Sequence, residues 1–384
     1  GFATIRRIAM PLLSPATAGA LAYLFIVSCM VFDVPGTIGM PAKEELLSTH
    51  IYDLVNNSPT GLPDYGALSA LALMLIAALV ALTFVYHRLL ARSERYVTIT
   101  GKNFRPRPFP LGKWRWAAWG FVWFYAIAAI LAPVATLVWV SLLPYQTGVL
   151  REALGLLTLA NHRAFLADPL VGKALVNSLL IAFWASCVVG LLALLASWVV
   201  VRTKAPGRRL VDVLTFLPLA LPGVLIGTSL IYVYLTAPIF RVYGTIWIIA
   251  IAHLTVYLSY ASRATNAALT QLHPEMEEAA RMAGAGWVST MRRVVTPLAL
   301  PALAAVWIWV FSHSLRELSA ALMLQGRDNK TVPTLLYDYW SRGQPMKTAA
   351  VAVWLILSLV ALLALGALLQ KAAARRREIG RAHV

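Results

Sequence analysis

Long apolar blocks alternate with short polar stretches along the whole chain. The blocks fall at about residues 16–32, 66–86, 117–142, 175–201, 210–235, 243–262, 301–324 and 348–370. A helix needs roughly 20 apolar residues to cross the hydrocarbon of a bilayer. Inside that hydrocarbon its backbone must bond to itself. The pattern therefore predicts an all-α, polytopic membrane protein with about eight transmembrane helices. The first block is short, and Pro15 is expected to open it at the interface.

Composition agrees: 60% of the residues are hydrophobic and 13% are charged, against roughly 25% charged in a soluble domain. The net charge of +17 is concentrated in loops. Loops 1–15, 87–116, 202–209, 263–300 and 371–384 hold 23 Lys and Arg, and the alternate loops 33–65, 143–174, 236–242 and 325–347 hold 9. The positive-inside rule places the first set, and both ends of the chain, in the cytoplasm. The charge thus reads as topology and contact with membrane lipid, not as nucleic-acid binding. Trp114, Trp116 and Trp119, after the basic stretch 87–116, fit an interfacial aromatic belt. Cys29 and Cys187 fall inside apolar blocks and read as packing residues. The seven His residues are scattered, with no metal-ligand spacing. No catalytic residue and no metal site is expected, and a membrane enzyme ranks last among the readings.

The chain also repeats itself. "TIRRIAMPLLSPA" (Thr4–Ala16) aligns without gaps on "TMRRVVTPLALPA" (Thr290–Ala302) at an offset of 286, and "IYDL" (Ile51–Leu54) echoes "LYDY" (Leu336–Tyr339) at 285. Parallel repeats of this kind suit a transporter with two equivalent halves. The second copy is preceded by "HPEMEEAARMAGAG" (His273–Gly286), and the first has no counterpart to it. The chain is accordingly expected to be a fragment lacking about four spans of its first half. The last six residues, Ile379–Val384, are read as an artefact, with a genuine basic tail as the alternative.

The acidic segment has helix-start chemistry: Pro274 in the first turn, then Glu275, Glu277 and Glu278 against the positive end of the helix dipole. Ala279 and Ala280 keep the helix slim, so that it can lie close to a partner. Gly284 and Gly286 permit a sharp turn. Arg292 and Arg293 are expected to anchor the next segment, and Pro297 and Pro301 to reset its direction on re-entering the membrane.

This stretch resembles the EAA loop of binding-protein-dependent ABC importer permeases. The family pattern is Glu-Ala-Ala, three residues, Gly, nine residues, Ile, one residue, Leu-Pro. Here it reads Glu278-Ala279-Ala280, Gly284, Val294, Thr296 and Pro297, with Val for Ile and Thr for Leu. The resemblance implies a type I ABC importer permease architecture in a bacterial inner membrane. It implies that Glu277, Glu278, Ala279, Ala280, Gly284, Arg292, Arg293 and Pro297 couple the chain to a separate cytoplasmic ATPase. The fused arrangement would engage two such ATPase subunits, and a periplasmic solute-binding protein would deliver the solute. It divides the chain into the remnant of a first permease half (1–86), a basic linker (87–116), a second half with six spans and the EAA loop 263–300 (117–370), and a basic tail (371–384). No Gly-x-x-x-x-Gly-Lys-Ser/Thr phosphate loop occurs. The chain is expected to hold no cofactor, ATP being bound by the partner.

Three features are candidates for a transport path, one of them the long outside segments 33–65 and 143–174, which the resemblance implies meet the periplasmic solute-binding protein. "FLPLALPGVLIGTSL" (Phe216–Leu230) concentrates Pro218, Pro222, Gly223 and Gly227 in one block, as a broken helix lining a cavity would, a packing kink being the alternative. "FSHSLRELSAALML" (Phe311–Leu324) places Arg316 and Glu317 at membrane depth. Ionisable groups there face a bundle interior or a watery path. His313 is the expected partner, and an interhelical salt bridge is the alternative role. The equivalents in the first copy, Met30 and Val31, are apolar. Asn177 and Ser178 are expected to bond locally. The fused form and the linker resemble ferric iron permeases; polyamine, thiamine and sulfate permeases share the loop. An ion-coupled secondary transporter is the rival that explains the repeat but not the acidic helix.

Overall fold

The structure is a computed structural model of the chain. It describes residues 27–57, 63–90, 111–147, 150–237 and 241–382, with scattered positions before residue 27. Most of the repeat Thr4–Ala16 and of the basic linker, and part of the first apolar block, lie outside the described residues.

The described residues form helices throughout. In chain order these are α1 (Leu47–Asn56), α2 (Tyr65–Leu90), α3 (Trp114–Ser141), α4 (Ala160–Ala167), α5 (Pro169–Arg202), α6 (Arg208–Phe216), α7 (Gly223–Thr236), α8 (Ile246–Gln271), α9 (Glu275–Met282), α10 (Trp287–Leu315), α11 (Ser319–Leu324), α12 (Val332–Ser341) and α13 (Pro345–Ala382). Five of them, α3, α5, α8, α10 and α13, carry stretches long and apolar enough to span a membrane. The bent pair Arg208–Leu219 and Gly223–Thr236 makes a possible sixth.

The core is a bundle of α5, α8 and α10. Its seam is made of small residues on α5: Ala182, Ala185, Ser186, Val189, Ala193 and Ser197 are buried at three- and four-residue spacing. Lipid is as apolar as any side chain, so helices in a membrane gain by close backbone approach, which small residues allow. Val189 and Ala193 pack against Tyr257 and Ala261 of α8 and Val306 and Val310 of α10. Ser197 donates to the Ser262 carbonyl at 3.1 Å. α3, by contrast, buries none of its most apolar stretch within this chain.

One block differs from the sequence reading, and another breaks where its prolines and glycines predict. The block 301–324 is not one span: α10 begins at Trp287, inside the polar loop, and ends at Leu315. Pro297 and Pro301 do not redirect the chain, because both sit within α10. A proline cannot donate to the preceding turn and its ring crowds it. Here the turn just before Pro297, Met291–Val295, is wound as a wide π turn that relieves this conflict. The block 210–235 is broken at Pro218–Pro222, and its two helices are bent by 111°.

On the side away from α9, the loop before α12 closes the bundle. Asn177 donates to the carbonyls of Asp328 and Lys330, and Ser178 accepts from the Val332 amide. These are contacts across some 150 residues of sequence, where local bonds were expected. The hydrogen bond from Lys173 to Asp328, 2.6 Å long, holds that carboxyl below the usual carboxylate range. α1 and α12 are the same element twice. Shifted by 285, Leu47–Asn56 becomes Val332–Ser341, the bounds observed for α12. Both helices open alike: the Leu46 amide donates to Thr49 Oγ1 at 2.9 Å, and the Thr331 amide to Thr334 Oγ1 at 3.0 Å. The equivalent Tyr52 and Tyr337 pack on one ring, Phe32, at 5.2 and 6.3 Å between centroids. The equivalent tyrosines of the two copies thus meet at Phe32.

Close approach of α7 and α11 depends on one glycine. A Cβ on Gly227 would lie 2.8 Å from Met323 Cβ and 3.0 Å from the Ala320 carbonyl. Gly227→Val is expected to cost about 1–3 kcal/mol by overpacking. Gly190→Ala, where a Cβ meets nothing within 4 Å, is expected to be tolerated. Thermal unfolding of the detergent-solubilised protein checks both.

Candidate functional site

The residues singled out in the sequence gather at two places. The first is the break after α10. Leu315 ends the helix, and α11 starts again at Ser319. A helix that restarts inside a bundle has amides with no intrahelical partner. Glu317 supplies one: its carboxylate accepts from the amides of Ala320 at 2.8 Å and Ala321 at 3.1 Å. A third donor comes from α8, where His253 Nε2 lies 3.2 Å from Glu317 Oε2. The other ring nitrogen of His253 meets Ser314 Oγ at 2.6 Å. A carboxylate accepts, so the arrangement fits an Nε2–H imidazole that accepts from the serine.

The partner of Glu317 is thus His253, and not His313. His313 bonds through Nδ1 to the Trp309 carbonyl at 2.8 Å and stacks on the Trp309 ring at 3.8 Å. A carbonyl only accepts, so Nδ1 carries the proton there. His253 escaped the sequence reading because a single His in an apolar block looks like any packed residue. Only the fold brings it to Glu317, 64 positions away.

Beside this cluster is a cavity of about 470 Å³. Pro218, Gly223, His313, Arg316 and Glu317 line it, which brings together five of the six residues proposed for a path. Pro222 stands at its edge as the residue that begins α7. Gly223 admits no side chain: a Cβ there would lie 2.9 Å from Ser319 Cβ and 3.2 Å from Glu317 Oε1. The opposite wall is Val27, Met30, Val31 and Asp33. Shifted by 285, Val27–Asp33 falls on Ser312–Leu318, so the cavity lies between the two copies of one segment. By that offset Val31 and Phe32 stand where Arg316 and Glu317 stand, one residue on from the expected pair and equally apolar. Asp33 was not foreseen, since its charge has no counterpart at Leu318. Among the described residues no group of three His, Cys, Asp or Glu is placed to hold a metal ion.

The second place is α9. Pro274 stands just before it without a side-chain capping bond, and three glutamates fill its first turn. It ends at Gly284, whose φ of +81° suits glycine. The Gly284 amide donates to the Arg281 carbonyl and the Ala285 amide to the Ala280 carbonyl, at 2.9 and 3.0 Å. This pair of bonds closes the helix as a Schellman turn. Glu278 and Ala279 are exposed, Ala280 is half-buried, and Arg292, Arg293 and Pro297 are exposed. Met276, Met282, Trp287 and Val288 are exposed beside them, Met282 at 88%. Glu277 is different: it is buried, turned away from this surface and paired inward with Arg202.

These features coincide with those of known transport proteins. Residues 172–379, more than half the chain, match the family described as binding-protein-dependent transport system inner membrane component. The ferric transport system permease protein FbpB of Actinobacillus pleuropneumoniae is 27% identical over 356 residues, covering 89% of this chain and 49% of that protein. The chain thus spans about half the length of that relative. The sulfate transport system permease protein CysT of Salmonella typhimurium is 33% identical over 202 residues, covering 49% of this chain and 70% of that protein. In three dimensions the chain is similar to a bacterial ABC transporter involved in the import of the acidic polysaccharide alginate, with a TM-score of 0.54 at 14% identity over 68% of this chain and 96% of that one. The chain belongs to the family of binding-protein-dependent transport system inner membrane components. Its fold is that of an ABC importer permease, a multi-pass membrane protein.

Two outcomes follow. Gly284→Ala is expected to strain the left-handed turn by about 1–2 kcal/mol, read as faster hydrogen exchange at the amides of residues 284 and 285. His253→Leu removes a donor from a buried carboxylate and is expected to cost about 1–3 kcal/mol, read by thermal unfolding.

Proposed function

We propose that this chain is the transmembrane permease subunit of an ATP-driven importer, with α9 as the helix that docks on a cytoplasmic ATPase subunit. One observation carries the reading: α9 presents Glu278, Ala279 and Met282 outward on a short helix closed by a Schellman turn, beside exposed Met276, Trp287 and Val288. Large apolar side chains on a charged, water-facing loop suit a protein partner. ATP would be bound and hydrolysed by that partner. In the fused architecture two ATPase subunits would bind, one for each half, and both ends of this chain would be cytoplasmic. A periplasmic binding protein would deliver the solute to the opposite face.

Closure of the ATPase pair would shift the population between outward- and inward-open arrangements of the spans. The cavity at Arg316, Glu317 and Asp33 is the part of the path proposed to meet the solute, because it lies between the two repeat copies. Ferric iron is the preferred solute, supported by a relative that aligns over 89% of this chain. Sulfate is the second reading, supported by higher identity over only 49% of it.

The test reconstitutes the intact permease in vesicles with its ATPase and binding protein. Wild type is expected to hydrolyse ATP faster with loaded binding protein and to accumulate radioactive iron. Glu278→Arg/Gly284→Pro is expected to lose ATPase assembly. A variant that assembles and responds like wild type would remove α9 from this role and favour an ion-coupled carrier. Uptake of sulfate in place of iron would decide for the second solute.

A further inference from the structure

Arg202 is the last residue of α5, and its side chain is buried at the polar end of the bundle. Its Nη2 donates to the carbonyls of Leu269 at 2.8 Å and Leu272 at 2.6 Å, the final turn of α8 and the residue that caps it. Carbonyls at a helix C-terminus attract a cation, and that of Leu269 takes the guanidinium in addition to the Leu272 amide. Nε of the same guanidinium lies 3.1 Å from Glu277 Oε1, off the N–H axis, so this contact is an ion pair and not an aligned hydrogen bond. The side chains of Arg202 and Glu277 are 8% and 7% exposed. The other oxygen of Glu277 has only Arg281 nearby, at 3.6 Å and largely in solvent.

One planar group therefore joins the ends of two spans to the exposed helix. Trp198 of α5 and Trp287 at the start of α10 pack edge to face at 5.5 Å beside it. We infer that Arg202 is the positioning residue through which movement of α9 is carried into α5 and α8, and that Glu277 serves this inward anchor and does not touch the partner. The inference rests on the proposed role of α9. Its physical content is that Glu277 cannot leave Arg202 without parting two opposite charges whose side chains are more than nine-tenths buried. α9 and the two spans then move as one body. Lysine carries the charge but no fork, and cannot serve both carbonyls and the carboxylate at once.

The experiment uses the intact permease in lipid nanodiscs. Arg202→Met, Arg202→Lys and Glu277→Gln are compared by hydrogen exchange of the amides of residues 278–283. Arg202→Met and Glu277→Gln are each expected to speed that exchange by at least about tenfold, Arg202→Lys by less, and the double variant no more than either single one, as for two partners of one interaction. With the ATPase added, Arg202→Met and Arg202→Lys are expected to retain the partner on co-purification and to lose most of the stimulation of ATP hydrolysis by loaded binding protein. Unchanged exchange in Arg202→Met overturns the anchor. Faster exchange with undiminished stimulation overturns the transmission role. If wild type binds no ATPase, the reading of α9 falls and the transmission role falls with it, while the exchange data still decide whether Arg202 anchors the helix.

Discussion

A polypeptide that interrupts a helix inside a membrane must find partners for the amides it exposes, because no lipid group can accept from them. The path side of this protein follows from how that constraint is met at Arg316–Leu318. Glu317 turns its carboxylate onto the first amides of α11, and His253 holds the carboxylate from α8. The break then becomes a fixed feature. It sets α11 against α7 at a distance that only glycines at 223 and 227 allow, and it leaves Arg316 facing the cavity. An apolar residue at 317 would leave those amides without the side-chain acceptor they have now.

The repeat explains where the cavity is. Two copies of one helical plan, related by a shift of 285 residues, meet around Phe32, and their broken segments face each other. A symmetric plan with different side chains produces a lopsided cavity: Arg316 and Glu317 on one wall, Val31 and Phe32 at the matching positions of the other. Asp33 adds a charge where symmetry predicts a leucine. The cavity thus has unlike walls, with Arg316 and Glu317 on one and Asp33 among apolar residues on the other, an asymmetry that two identical halves cannot make.

At the opposite pole of α5 and α8 the chain solves a different problem. A short acidic helix exposed to water has little reason to remain in place, since eight residues nucleate poorly and bury little. The Schellman turn at Gly284, and the inward pair of Glu277 with Arg202, hold it. The exposed face is thereby free to be shaped for a partner, while the buried face is tied to the spans. The same helix thus has an outward chemistry of Glu278, Ala279 and Met282 and an inward chemistry of one carboxylate.

Much of this was legible in the chain. Apolar blocks determine a helical membrane protein, since lipid tolerates only a self-bonded backbone and the blocks are helix-length. Prolines and glycines at 218–227 marked a break, and Arg316 and Glu317 marked a polar site, because each is costly at that depth without a use. The acidic segment with Gly284 specified a capped helix by local rules alone. Tertiary structure decided what local rules do not reach. It chose His253 over His313 for Glu317, sent Asn177 and Ser178 across the bundle to residues 328–332, and turned Glu277 inward to Arg202. Each of those choices joins residues about 60 or more positions apart, and such pairings are set by how helices pack, which no periodicity in a single chain records.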